Sequence, residues 1–203
     1  MYQPNTQRFA PRDDGDFLRL VDEHPLAWVV SAAAPGASAT PLPLLPDLDE
    51  AGRLVALTGH FSAHNPQVQE LRDDARALIL FAGPHGYVSP ATTTQQQWAP
   101  TWNYAVARFE VSIEFRPAEA RSALERLVAR MERDQPRPWT LAQLGERYEK
   151  MAQRIIAFRA HIHAKRATFK LGQDERRSTF DEIVGHLDDP LLVGWMRDFN
   201  AAP

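Results

Sequence analysis

The chain has 203 residues, a formal net charge of −3 and no cysteine. That length supports a sizeable core without covalent staples, and the absence of thiols excludes disulfides, iron–sulfur clusters, thiolate-bound haem and cysteine zinc sites. The slightly acidic balance gives no bulk attraction to nucleic acid, and 44% hydrophobic with 24% charged residues is the composition of an ordinary globular protein.

Met1 to Ala10 is polar and lacks the apolar stretch of a secretory leader. No run approaches the roughly 20 apolar residues of a membrane span, so a cytoplasmic protein with no membrane partner is expected. Asp14 to Glu23 reads as a helix with Phe17, Leu18 and Val21 on one face, ended by His24-Pro25. Leu26 to Ala33 reads as a buried strand, and Ala39 to Leu45 as an edge or irregular strand because Pro41 and Pro43 interrupt it. After a turn at Asp47 to Gly52 comes a strand over Arg53 to His60. Asn65-Pro66 then opens a short helix reaching Leu71.

Ala75 to Ala82 is a further apolar strand, Tyr87 to Ser89 is short and extended, and the polar Ala91 to Gln97 reads as a mobile loop. Trp102 to Phe115 alternates as a long strand. Pro117 to Asp134 carries Ala120, Leu124, Leu127, Val128 and Met131 at helical spacing, and Leu141 to Ile155 is a second helix. Ile156 to His163 and Arg166 to Leu171 read as closing strands, and Thr179 to Phe199 as a helical tail apolar on one side. Strands first and helices late indicate an α+β fold, with residues 1–203 as one domain. No phosphate loop, dinucleotide fingerprint, nucleophile elbow or helical zinc motif is present, and no basic stripe or helix-turn-helix pattern supports nucleic-acid binding.

Four segments carry a resemblance. They are Met1-Tyr-Gln-Pro4 with His24-Pro-Leu-Ala27; Ala39-Thr-Pro-Leu-Pro-Leu-Leu45 followed by Gly59-His60 and Asn65-Pro-Gln67; Gly83-Pro-His-Gly-Tyr-Val-Ser-Pro90 followed by Pro100-Thr-Trp-Asn-Tyr104; and Lys170-Leu-Gly-Gln173. In this order and spacing they resemble the PaiB-type family of FMN-binding split-barrel proteins. The resemblance implies a split β-barrel with flanking helices, a homodimer, and a cofactor at the subunit interface.

The departures point to one branch. Pro41 stands where the family usually has a histidine, Arg108 where a histidine often follows the Trp-Asn-Tyr motif, and Asp174 where the terminal motif has an asparagine. The stretch from Ala91 to Gln95 lacks the usual aromatics and lysine. His64 replaces a small residue. Flavin-side groups lost and a histidine gained resemble the haem-dependent piperazate synthases, which close N5-hydroxy-L-ornithine into a cyclic hydrazine by forming an N–N bond. That resemblance implies haem b, with His64 as axial iron ligand and His60 as the alternative, and an N5-hydroxyornithine-like amino acid as substrate.

Asn65, Trp102, Asn103, Tyr104, Lys170 and Gln173 are the further cofactor-binding candidates, and Arg108 or Lys170 the cation for a propionate or the substrate carboxylate. The plainer readings are an exposed loop histidine bonding backbone for His64, a structural role for His60, barrel core with a satisfied amide for Trp102-Asn103-Tyr104, a surface strand arginine for Arg108 and an interface salt bridge for Lys170. His85 is expected to order its turn, and the i, i+2 pair His161 and His163 to lie on one strand face without a third metal ligand. The alternative implied by the same family is an FMN-binding transcriptional regulator or sensor without catalysis.

Overall fold

The structure, a computed structural model, describes residues 7–31 and 37–201. The Met1 to Pro4 motif and the expected end of the first strand at Ala33 lie outside the described residues. Seven strands are formed among the described residues: β1 (Leu26–Ser31), β2 (Ala39–Pro43), β3 (Leu45–Leu48), β4 (Leu54–Ser62), β5 (Arg76–Val88), β6 (Thr101–Phe115) and β7 (Ile155–Lys170). The helices are α1 (Asp14–Glu23), α2 (Gln67–Asp73), α3 (Ala120–Glu132), α4 (Arg147–Ala152), α5 (Arg177–His186) and α6 (Pro190–Phe199). The strands make one sheet in the order β2-β1-β5-β6-β7-β4-β3. β1 is antiparallel to β2 and β5, and β4 is antiparallel to β3 and β7. Among the described residues no helix is long and apolar enough to cross a membrane.

Two compact units divide the chain, and the long strands β5, β6 and β7 contribute residues to each. The larger comprises Val21–Phe81 and Arg108–Lys165. Its core holds Leu44, Leu57, Phe61, Ile79, Phe81, Phe109 and Phe158. Phe61 and Phe158 lie 5.0 Å apart between centroids, and Phe81 meets Phe109 edge-on at 5.5 Å, a geometry that matches ring edge to ring face. Gly59 is required here by close approach rather than by its backbone angle. A Cβ would fall 2.4 Å from Leu44 Cδ2 and 3.0 Å from Phe158 Cζ, so the Gly-His pair keeps space for the core aromatic. Helix α3 packs Ala120 and Ala123 against Ala157, and Arg130 Nε donates to Asp22 Oδ1 at 2.5 Å.

The smaller unit comprises Met1–Leu20, Ala82–Ala107 and Arg166–Pro203. Its core is aromatic. Phe169 meets Trp195 and Phe199 edge-on at 5.6 and 5.5 Å, while Trp195 and Phe199 stack at 5.9 Å. Arg12 lies 4.0 Å above the Phe199 ring and Arg19 4.2 Å above Trp195, and both guanidinium groups reach Asp198. Asp189 caps α6 by accepting from the backbone N–H groups of Leu191 and Leu192, with Pro190 at the first turn.

Several boundaries differ from expectation, each for a local reason. The segments Ala75 to Ala82 and Tyr87 to Ser89 are one strand, because Gly83-Pro84 remains extended inside β5. The two closing strands are likewise one, β7. The expected helix from Leu141 to Ile155 is a 3₁₀ turn at Leu141–Leu144 followed by the short α4, because Gly145 takes φ of 54° between them. The tail is two helices, broken before the Asp189 cap. β1 is buried on one face only, leaving Leu26 62% and Trp28 51% exposed.

Candidate functional site

In the larger unit the turn between β4 and α2 is held by a network that begins at Gln67, 1% exposed. Gln67 Nε2 donates to the carbonyls of Val29 (2.9 Å) and Ser38 (3.0 Å), and its Oε1 accepts from the Thr40 hydroxyl at 2.6 Å. Asn65 Nδ2 donates to Thr40 Oγ1 at 3.0 Å, and Asn65 Oδ1 accepts from the Gln67 N–H at 2.9 Å. Asn65 is therefore engaged in fixing the turn. The backbone N–H of Asn65 reaches back to the Ser62 carbonyl at 3.0 Å.

His64 rides on this fixed turn. Its backbone N–H donates to Ser62 Oγ at 3.4 Å. Its imidazole is exposed and has no hydrogen-bond partner among the described residues. His60, on β4, is half-buried, and burial holds its pKa below the ordinary histidine value; it too has no partner there. A neutral imidazole with a free ring nitrogen is the form that binds a metal. Arg108 is exposed on β6 with no ion pair among the described residues. His161 and His163 are engaged on the neighbouring strand: His161 Nε2 lies 2.7 Å from Glu114 Oε2, and His163 Nε2 lies 2.9 Å from Ser112 Oγ. The guanidinium of Arg116, and then His161, hold Glu114 down to about 2. Among the described residues no group of three or more His, Asp or Glu is arranged to hold a metal ion.

In the smaller unit the alternation of β6 decides which candidates share a face. Trp102 is 53% exposed, and its ring lies 6.2 Å from His85, inclined at 28°, and 6.0 Å from Tyr87. Tyr104 is half-buried. Asn103 points the other way: it is buried, and its amide meets Met196 Sδ at 3.5 Å. Gln173 closes the turn after β7, donating to the Phe169 carbonyl at 2.6 Å and accepting from the Leu171 N–H at 2.7 Å. Asn103 is thus buried by the strand period, and Gln173 is engaged in its turn. Lys170 Nζ donates to Thr101 Oγ1, and His85 Nδ1 lies 3.1 Å from the Gly83 carbonyl.

The polar loop after β5 is tethered, contrary to the expectation of mobility. It starts with a 3₁₀ turn at Pro90–Thr92. The Thr93 hydroxyl, the Thr94 N–H and the Thr94 hydroxyl all donate to the Glu182 carboxylate at 2.6 to 2.7 Å, Trp98 Nε1 donates to Glu175, and Thr179 donates to Gln95. The hydroxyls of Thr94 and Thr93 hold the Glu182 pKa below the usual glutamate value. A carboxylate with a depressed folded-state pKa contributes fully above its unfolded value and loses its contribution as pH falls through the folded one. Glu182→Gln is therefore expected to speed proteolysis within residues 91–97 at neutral pH, and acidification below the ordinary glutamate range to do the same in the unsubstituted chain. Equal cleavage rates at neutral pH in limited proteolysis of the two proteins would remove Glu182 as the tether.

Residues 1–164 match the family described as "Putative FMN-binding domain". The chain belongs to this family. This FMN-binding-family chain is also 25% identical over 191 residues to Protease synthase and sporulation protein PAI 2 of Bacillus subtilis (strain 168), covering 93% of the chain and 90% of that protein. Among solved structures it is similar to the flavocytochrome Anf3 from Azotobacter vinelandii, with a TM-score of 0.60 and 14% identity over 83% of the chain and 72% of the other. It is similar as well to the FAD and heme binding protein from Mycobacterium smegmatis, with a TM-score of 0.58 and 18% identity over 88% and 80%. These similarities establish the fold as the split-barrel type.

Sequence reasoning missed the Glu182 tether and the exposed side of β1. The first joins residues 88 positions apart and leaves no local signal. The second has one, the odd placement of Trp28 among alternating buried positions, but a strand apolar on both faces hides which face is outward.

Proposed function

We propose that this chain is a haem-dependent enzyme that closes N5-hydroxy-L-ornithine to L-piperazate, with haem b held by His64. The carrying observation is the His64 imidazole, exposed and unpartnered among the described residues on a turn made rigid by Gln67 and Asn65. Without cysteine, a protein ligand to haem iron in this chain must be His, Met or Tyr. The hydroxyls of Thr93 and Thr94, near the stretch where the family resemblance puts flavin contacts, are spent on the carboxylate of Glu182. A negatively charged anchor disfavours a flavin phosphate there. The solved relatives named for both flavin and haem support a fold that accepts either group.

The bound haem would supply a Lewis-acidic iron that weakens the substrate's N–O bond. The chain's own share is positional. The turn fixes the imidazole, and Arg108, a cation with no ion pair among the described residues, is suited to the substrate α-carboxylate; Lys170 is the second candidate. Holding the ornithine chain folded lets the α-amine lone pair attack N5 as the N–O pair leaves with the hydroxyl. The amine proton and the hydroxyl depart as water, and no external oxidant or reductant is consumed. Such proximity accounts for several kcal/mol of a barrier, up to about 7–11 in the best cases. Haemin-loaded protein given N5-hydroxy-L-ornithine should yield a product lighter by one water, followed by mass spectrometry. Haem loading without turnover would remove the substrate assignment.

A second reading, an FMN-binding regulator or sensor, is favoured by a different observation. The exposed cluster of His85, Tyr87 and Trp102 in the smaller unit, with Trp102 inclined at 28° to His85 and at 59° to Tyr87, offers aromatic faces to an isoalloxazine ring. Flavin bands in the purified protein, with no turnover, would establish it over the first. Under either reading we propose a homodimer. Trp28 stands opposite Leu80 across β1 and β5, with Leu26 on the same side of β1, all exposed; an apolar row of this kind suits burial against a second copy. Trp28→Glu is expected to shift the mass measured by light scattering from dimer to monomer, and an unshifted dimer would place the contact elsewhere.

A further inference from the structure

The larger unit has a cavity of about 360 Å³ at the edge of the sheet that the proposed activity does not use. Its wall includes Asp47 and Thr58 from the β3–β4 pair, Arg116 and Glu119 between β6 and α3, Arg126 from α3 and Arg159 from β7. Asp47 is the hub: Oδ2 accepts from the Thr58 hydroxyl at 2.6 Å, Oδ1 accepts from Arg126 Nη2 at 2.7 Å, and Arg159 Nε lies 3.3 Å from Oδ2. Arg116 gives Nη1 to Glu119 at 2.9 Å and Nη2 to Glu114 at 3.0 Å.

These ion pairs leave most of the donors over. A guanidinium carries five N–H groups in a rigid fork. Both Nη groups of Arg159, and Nε and Nη1 of Arg126, have no acceptor among the described residues. Arg116 Nε is buried without an acceptor, and Arg159 Nε is buried without an aligned one. A buried donor left unpaired is costly, so the wall is built to meet an acceptor it does not itself contain. Arg116 is matched by Glu114 and Glu119, whereas Arg126 and Arg159 share the single carboxylate of Asp47, whose oxygens also accept from Thr58. The cavity therefore offers surplus N–H groups from two arginines that share one carboxylate.

We propose that this cavity binds a small molecule carrying a tetrahedral oxyanion, inorganic phosphate or a phosphate monoester, through Arg126 and Arg159 with Arg116 behind them. The donors come from three separate elements, which suits an acceptor with oxygens in several directions; a flat carboxylate is satisfied by a single fork. The volume lies within the range of small-molecule sites and leaves room for an organic group beyond the anion.

Isothermal titration of the full chain with inorganic phosphate, glycerol phosphate and acetate in low-chloride buffer tests this. Saturable phosphate binding is expected, weakened about tenfold or more by Arg159→Gln and separately by Arg126→Gln. Each variant is to be checked for an unchanged circular-dichroism spectrum, and Arg159→Lys, which keeps the charge and loses the fork, is expected to be intermediate. Tighter binding of glycerol phosphate than of phosphate would identify an organic phosphate as the ligand, and the reverse would identify the free ion. Absence of saturable binding of either, acetate bound equally well, or folded variants with unchanged affinity would overturn the proposal.

Discussion

Gln67→Leu is expected to lower the melting temperature by about 5–15 °C. The side chain is buried and its amide donates to the carbonyls of Val29 and Ser38 while accepting from Thr40. Leucine matches its volume, so packing changes little; the Ser38 carbonyl keeps the Ser31 N–H and the Thr40 hydroxyl keeps Asn65 Nδ2, so the three lost bonds cost about 1 kcal/mol each. A total of about 2–4 kcal/mol converts to that interval at roughly 2–4 °C per kcal/mol for a chain of this size. Gln69→Leu, on the exposed side of the same helix, is the control and should change stability by no more than about 0.5 kcal/mol. Thermal unfolding of the pair gives the answer; equal melting temperatures would mean that the Gln67 network does not hold the turn. Because His64 sits on that turn, the Gln67 variant should also bind haemin more weakly.

How much of this was legible in the chain varies by the range of the interaction responsible. Local signals served well: the helices Asp14–Glu23 and Ala120–Glu132 follow from apolar spacing, and the alternation of Thr101–Phe115 gives a strand of the expected reach. The Gly-His and Asn-Pro-Gln motifs were visible as motifs, but their work was not. Gly59 makes room for Phe158, a residue 99 positions later, and Asn65 and Gln67 tie the turn to Thr40, Ser38 and Val29. Strand parity then sorted the site candidates in a way composition cannot. Trp102 faces outward and Asn103 inward, so two adjacent members of one motif serve opposite sides of the sheet. The polar loop at 91–97 looked mobile because its anchors, Glu182 and Thr179, lie far along the chain.

Loss of His64 carries the largest expected functional effect. Outer residues that merely support a metal ligand cost about 10–100-fold in affinity when removed, and an axial ligand should cost more. His60→Ala should leave most binding intact if His64 is the iron ligand. The reverse pattern would move the ligand to His60 while keeping the haem reading.

The most direct measurement is a haemin titration of the purified chain and of His64→Ala followed in the visible spectrum. A saturable Soret band in the first, abolished or strongly weakened in the second, is the predicted result. A colourless chain that ignores haemin, or a protein that carries flavin bands instead, would contradict it.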